Sequence, residues 1–181
     1  MKKKIIICLG TGRCGTSSLS FLINSQKSSF FGHELHPILP WEFEEKVTFK
    51  RSDESLSIIN TKFNQLIHQS HNYDIVGDAG NYYLPYVELL IRSRNHYDQS
   101  FDLKFVVLKR DKSETVRSFL EKFKKQNNNP LQKHNGPKNE WDNSFPKYDM
   151  FWTLEESIKK YYDDYYRIAS QLANEYPESV K

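Results

Sequence analysis

A chain of 181 residues is long enough to bury a core without disulfide or metal staples, and a single domain over residues 1–181 is expected. Its 26 basic and 23 acidic side chains leave a net charge of +3 spread along the chain, which suits an anionic ligand but gives no sign of a nucleic-acid binder. Two cysteines argue against a disulfide scaffold or zinc site, the apolar run behind Met1-Lys2-Lys3-Lys4 is too short for a signal peptide, and no stretch is long enough to span a membrane. A cytoplasmic chain is therefore expected, with neither membrane nor nucleic acid as partner; its oligomeric state stays open.

Ile5 to Leu9 is an apolar run of the right length for a buried parallel strand. Gly10, Gly12 and Gly15 follow, then Thr16, Ser17 and Ser18, then a helical pattern through Leu19, Phe21, Leu22 and Ile23 to about Ser25. Ser29 to Phe31 predicts a short second strand, ending in Gly32-His33-Glu34-Leu35-His36-Pro37. Ser52, with Asp53 and Glu54 behind it, starts a helix whose face is Leu56, Ile59, Phe63 and Leu66. Tyr73 to Val76 reads as a third strand, ending in Gly77-Asp78-Ala79-Gly80, where Asp78 is expected to cap a helix. Pro85 suits the first turn of the next helix, to about Arg94. Leu103 to Leu108 predicts a fourth strand, and Asp111 or Ser113 opens a helix through Val116, Phe119 and Phe123.

Residues 126–150 are rich in Asn and Pro and form a long polar segment: a lid or acceptor wall carrying Lys133, His134 and Lys138, or simply a solvated loop. The last helix has Leu154, Ile158, Tyr161, Tyr165, Ile168 and Leu172 at alternating steps of four and three, a buried stripe on a charged helix. Tyr82, Tyr83, Trp141, Phe151 and Trp152 are expected in the core. Strands alternating with helices give an α/β domain with a parallel sheet, and ligands in such sheets sit beyond the carboxyl ends of the strands. The glycine loop, Gly32 to His36 and Lys109 to Asp111 lie at those ends and should share one crevice.

A strand, a glycine-rich turn and a helix N-terminus make an anion site. Gly10-x-Gly12-x-x-Gly15 fits the dinucleotide fingerprint, with Glu34 near the place of its ribose carboxylate. The small apolar residues expected after that loop are three hydroxyls here. Gly10-x-x-x-x-Gly15 also fits a P-loop, but the lysine after Gly15 is Thr16, and Asp78 is only a faint magnesium candidate. A third reading places the loop's cation at Arg13 and requires a second phosphate anchor and a base.

Leu9-Gly-Thr-Gly-Arg-Cys-Gly-Thr-Ser-Ser-Leu19 resembles the 5′-phosphosulfate loop of the sulfotransferases that use PAPS, 3′-phosphoadenosine 5′-phosphosulfate. Phe105-Val-Val-Leu-Lys-Arg-Asp-Lys-Ser-Glu-Thr-Val-Arg-Ser-Phe119 resembles their 3′-phosphate segment, in which an Arg at a strand end precedes a helical Ser by eight residues, as Arg110 precedes Ser118. Gly32-His-Glu-Leu-His36 resembles the Gly-Lys-Glu segment of heparan-type members, with His33 in place of the lysine. The final helix, with Pro146-Lys-Tyr-Asp before it, looks like that of bacterial members.

The resemblance implies a three-layer fold, P-loop nucleotide-kinase-like, with a parallel sheet flanked by helices. It implies PAPS as donor and PAP, adenosine 3′,5′-bisphosphate, as product, with no metal expected. Gly10, Thr11, Gly12, Arg13, Cys14, Gly15, Thr16 and Ser17 would hold the 5′ end, and Arg110 and Ser118 the 3′-phosphate. Glu34 would be the base, with His36 as its competitor, and Arg13 would hold charge on the leaving oxygen. His33 would contact the sulfate or the leaving oxygen, while Lys109 and Arg117 would face solvent. The acceptor would be the hydroxyl or amine of a small molecule or saccharide. The rival functions are a small-molecule kinase, a dinucleotide oxidoreductase and a non-catalytic module for a 3′,5′-bisphosphate nucleotide.

Overall fold

The computed structural model describes residues 3–41, 53–94, 101–126, 145–148 and 151–181. Most of the 126–150 segment, with Lys133, His134, Lys138 and Trp141, lies outside them, as does Ser52. Four strands, β1 (Lys3–Leu9), β2 (Ser29–His33), β3 (Ile75–Ala79) and β4 (Phe101–Val107), form one parallel sheet in the order β2-β3-β1-β4. The helices are α1 (Thr16–Asn24), α2 (Asp53–Ser70), α3 (Val87–Arg94), α4 (Lys112–Gln126) and α5 (Leu154–Glu175).

The sheet has two unequal faces because inward residues alternate along each strand. Ile5, Ile7 and Leu9 of β1, with Phe101, Leu103 and Phe105 of β4, pack into the main core. Ile59, Phe63 and Leu66 of α2, Val87 and Leu90 of α3 and the α5 stripe close that side. On the other face Cys8, Phe31 and Ala79 meet Leu19 and Ile23 of α1. Helices on both faces of a parallel sheet make the expected three-layer α/β fold. The order differs from the classic dinucleotide order 3-2-1-4, because β3 rather than β2 lies against β1.

The α5 periodicity is realised as read: Ile158, Tyr161, Tyr165, Ile168 and Leu172 are buried. Thr153 starts the helix with a reciprocal cap, its hydroxyl accepting from the Glu156 N–H at 3.2 Å and its own N–H donating to the Glu156 carboxylate at 2.7 Å. Asp111 caps α4, accepting from the Glu114 N–H at 3.0 Å.

Four expectations are corrected. The third strand begins at Ile75 and runs on through Gly77, Asp78 and Ala79. Gly77 belongs inside the sheet because a Cβ there would lie 2.0 Å from the Ile6 carbonyl oxygen and 2.4 Å from the Phe31 ring. Asp78 is thus a fully buried strand residue and not a helix cap. Pro85 sits within a 3₁₀ helix, Asn81–Tyr86, and α3 begins only at Val87. Tyr82 and Tyr83 are core residues, but Phe151 is 88% exposed. A further feature has no sequence signal: Ser179 to Lys181 runs parallel along the outer edge of β4, the Phe105 N–H donating to the Ser179 carbonyl at 2.7 Å and the Lys181 N–H to the Phe105 carbonyl at 2.9 Å.

The buried acids of this core dictate a pH response. Burial pushes the Cys8 thiol up to about 12, and it raises Tyr82, Tyr83, Tyr161 and Tyr165 above the ordinary tyrosine value. Above about pH 9 the unfolded chain loses protons that the folded chain keeps, so stability falls as pH rises. Lys62, lowered mainly by burial, opposes this as one group against these several raised acids. The urea midpoint should therefore be lower at about pH 10.5 than at about pH 8. An unchanged midpoint would show that these groups ionise freely in the folded state.

Candidate active site

The carboxyl ends of β1, β2 and β4 converge as the topology requires. The Leu108 N–H donates to the Leu9 carbonyl at 2.8 Å, and the Gly80 N–H to the Cys8 carbonyl at 3.1 Å, so the loops leave one tightly held edge. A cavity of about 300 Å³ opens there, at the lower end of the range for small-molecule sites. Its polar walls are Gly12, Arg13 and Gly15 to Ser18 of the glycine loop, His33 at the end of β2 and Glu34 just after it, and Arg110 and Ser118.

The glycine loop is built for close approach. Gly12 and Gly15 have φ of 78° and 102°, and Arg13 between them has φ of 56°. A left-handed non-glycine residue is strained, and such strain concentrates at functional sites. Gly10 is enclosed: a Cβ there would lie 2.5 Å from Cys14 Sγ and 3.2 Å from the Leu108 carbonyl oxygen. Thr11 is fully buried and its hydroxyl donates to the Gly12 carbonyl at 3.1 Å. Cys14 is also buried, so both side chains support the loop from within.

Helix α1 begins at Thr16 with no side chain capping it. Its first N–H groups lack intrahelical partners and add a positive dipole end, as a phosphate site needs. The Thr16 hydroxyl does not cap either, and instead lies 3.1 Å from His33 Nε2. This pair ties the start of α1 to the end of β2.

Arg13 crosses from the loop to α4, where its Nε donates to the Ser118 hydroxyl at 3.1 Å. Arg110 donates from Nη1 to the Arg13 carbonyl at 3.3 Å and from Nε to Glu114 at 2.9 Å. Arg13, Arg110 and Ser118 thus form one chain of contacts between segments about a hundred residues apart. The Tyr162 hydroxyl donates to the Arg110 carbonyl at 2.6 Å and the Tyr166 hydroxyl to the Leu108 carbonyl at 2.8 Å, so α5 fixes the backbone that carries Arg110.

Glu34 lines the cavity, also with a left-handed backbone, at φ of 56°; its N–H donates to the Ala79 carbonyl at 2.9 Å. His36 is exposed and is not among the cavity's lining residues. Lys109 and Arg117 are exposed too, Lys109 lying 5.2 Å from the Tyr166 ring centre. Asp78 sits below Glu34 and is fully engaged. Its carboxylate accepts from the Tyr83 hydroxyl at 2.7 Å, the Tyr82 hydroxyl at 3.2 Å and the Ala79 N–H at 3.0 Å, with Lys62 Nζ at 3.5 Å.

The cavity also has an apolar wall that the sequence reading did not assign to it: Ile38, Tyr82, Phe119, Phe123 and Phe145, with Asn81 and Lys122 beside them. Phe119 and Phe123 were visible only as a core-facing helix stripe. Phe119 nonetheless reaches the loop, its ring tip 3.5 Å from where a Gly12 Cβ would be. Ser118 beside Phe119 was the available signal, because it turns the same helix turn towards the ligand side.

No protein-family model matches the chain, and no curated protein matches it. The structure is similar to a chain from the solved structure of the Pnkp1/Rnl/Hen1 RNA repair complex, with a TM-score of 0.50 and 12% identity. The likeness covers 93% of this chain and 46% of that one, so this chain spans less than half of that neighbour's length. At such identity the likeness shows the fold alone. Among the described residues no helix is long and apolar enough to cross a membrane.

Burial also sets the reactivity of the two thiols. It raises Cys14 as it raises Cys8, against hydrogen bonds in the loop that pull Cys14 down. The reactive thiolate is therefore scarce at neutral pH. At about pH 8, iodoacetamide should alkylate both in the folded protein at least ~10-fold more slowly than free cysteine, and both should label once urea unfolds the chain. Mass spectrometry showing Cys14 labelled at the free rate would mean that the loop is open rather than packed.

Proposed function

We propose that the chain transfers a sulfuryl group from PAPS to the hydroxyl or amine of a small-molecule or saccharide acceptor. The observation that carries this reading is the meeting of two anion anchors and a carboxylate in one cavity. The glycine loop with Arg13 forms the first anchor, Arg110 with Ser118 the second, and Glu34 is the carboxylate. One anchor suits any nucleotide 5′-phosphate. Two suit a nucleotide phosphorylated at both the 5′ and 3′ positions, and ATP and NAD have no 3′-phosphate.

PAPS, when bound, supplies an already activated sulfuryl group. Arg110 holds the 3′-phosphate with a fixed fork of donors and Ser118 adds a hydroxyl. Arg13, the α1 N–H groups, Thr16 and Ser17 hold the charge that grows on the bridging oxygen as its bond to sulfur breaks. Donors placed in advance for such charge are worth about 10²–10³-fold each. Glu34 accepts the proton that the acceptor oxygen or nitrogen loses as it bonds to sulfur, a role worth about 10²–10⁴-fold. The bond electrons stay with the 5′-phosphate, and PAP leaves.

Two observations weigh against the rivals. Asp78, the magnesium candidate of a kinase, is buried in an ion pair with Lys62. The strand order is not that of the classic dinucleotide fold. A non-catalytic bisphosphate module would share both anchors and differ only at Glu34.

Near saturation, adenosine 3′,5′-bisphosphate should raise Tm by roughly 5–10 °C, with little shift from ATP with magnesium or from NAD. Stabilisation by ATP with magnesium and none by the bisphosphate would overturn the reading. Arg110→Ala should weaken bisphosphate binding about ten- to a hundred-fold and adenosine 5′-phosphosulfate binding far less. Calorimetry giving equal losses for both ligands would remove Arg110 from the 3′ position.

A further inference from the structure

Beneath Glu34 lies a buried ionic cluster that the transfer step does not use. Lys62 of α2 is 2% exposed and Asp78 of β3 is fully buried. The Asp78 carboxylate accepts the Leu35 N–H, at 3.3 Å to one oxygen and 3.2 Å to the other. The Leu35 carbonyl accepts from the Lys62 ammonium, and the Tyr82 hydroxyl oxygen lies 3.4 Å from it. The two ends of the ion pair therefore grip the two polar groups of one loop residue. Tyr82 joins them, with its hydroxyl 3.2 Å from Lys62 Nζ and 3.2 Å from Asp78 Oδ2. The Tyr83 hydroxyl, 2.7 Å from Asp78 Oδ2, and the Ala79 N–H, 3.0 Å from Oδ1, complete the carboxylate's partners.

We propose that Lys62, Asp78 and Tyr82 are positioning residues for Glu34, clamping Leu35 so that the preceding residue keeps the left-handed backbone that brings its side chain to the cavity. The inference rests on the reading of Glu34 as the base. Three observations support it. Glu34 has φ of 56°, a conformation that an L residue keeps only where its surroundings impose it. Its N–H is tied to the Ala79 carbonyl, so the clamp acts on a residue already fixed at one end. A buried ion pair is also a poor way to gain stability, since apolar replacements of similar shape often serve as well or better. A cluster of this kind is better explained by the one geometry it specifies. Charge reaches the same residue: burial lowers Lys62, and the carboxylates of Asp78 and Glu34 both act to raise it.

The test uses the double variant Lys62→Met/Asp78→Asn, which removes both charges and nearly keeps the shape. Its Tm and its affinity for the bisphosphate should stay close to those of the parent, because the nucleotide anchors lie on other segments. PAP formation from PAPS, with water or an acceptor taking the sulfuryl group, should fall at least ~10-fold in kcat with KM for PAPS little changed, as a displaced catalytic group predicts. Amide exchange at Leu35 should speed up by at least ~10-fold, while the Leu19 amide, bonded to the Gly15 carbonyl at 2.9 Å, keeps its protection. A double variant with unchanged kcat and unchanged exchange at Leu35 would overturn the clamp. If that variant does not fold, Tyr82→Phe removes a single hydroxyl and is read in the same two ways. Glu34→Gln run beside it separates the claims: unchanged PAP formation there removes Glu34 as base, and a parent chain that forms no PAP sinks the sulfotransferase reading. In both cases exchange at Leu35 still decides whether the clamp exists.

Discussion

The carboxyl edge of the sheet depends on how the buried charge of Asp78 is satisfied. An isolated carboxylate in a protein interior is very costly, so every neighbouring element has to supply a partner. Lys62 comes from α2, Tyr82 and Tyr83 from the 3₁₀ helix, and the Leu35 N–H from the segment after β2. Three elements are thereby locked around the end of β3, next to the glycine loop. Gly77, one residue earlier, makes this possible by letting β3 lie directly against Ile6 and Phe31.

A second constraint operates on the opposite side of the cavity. Tyr162 and Tyr166 of α5 hold the backbone of Leu108 and Arg110, and Arg13 spans from the glycine loop to Ser118. The helix whose stripe closes the core therefore also fixes the segment that carries the proposed second anchor. Packing and the cavity's backbone are therefore set by the same helix.

Features governed by local rules were readable from the sequence. The glycine loop declared itself by spacing and α5 by its alternating steps of four and three, while Arg110 and Ser118 stood out only through their resemblance to a 3′-phosphate segment. Features governed by long-range contact were not readable. Asp78 looked like a cap because its partners Lys62, Tyr82 and Leu35 are distant or of unremarkable type in sequence. Gly77 looked like the end of a strand, and only the Ile6 carbonyl and Phe31 ring packed against it explain why it lies inside one. Phe151 has the chemistry of a core residue, yet it is 88% exposed. The apolar wall of the cavity was hidden for the same reason: Phe119 and Phe123 serve the core and the cavity with one helix face.

The α/β architecture alone is compatible with many nucleotide chemistries, and a fold does not fix a substrate. What narrows the choice in the proposed reading is the meeting of the glycine loop, with Arg13, and the segment carrying Arg110 and Ser118 beside a carboxylate held in a strained backbone. A crystal structure of the complex with adenosine 3′,5′-bisphosphate tests this most directly. The account predicts the 5′-phosphate on the glycine loop and the first turn of α1, and the 3′-phosphate between Arg110 and Ser118, with Arg110 turned away from Glu114. A bisphosphate seated with its 3′-phosphate remote from both Arg110 and Ser118 would contradict it.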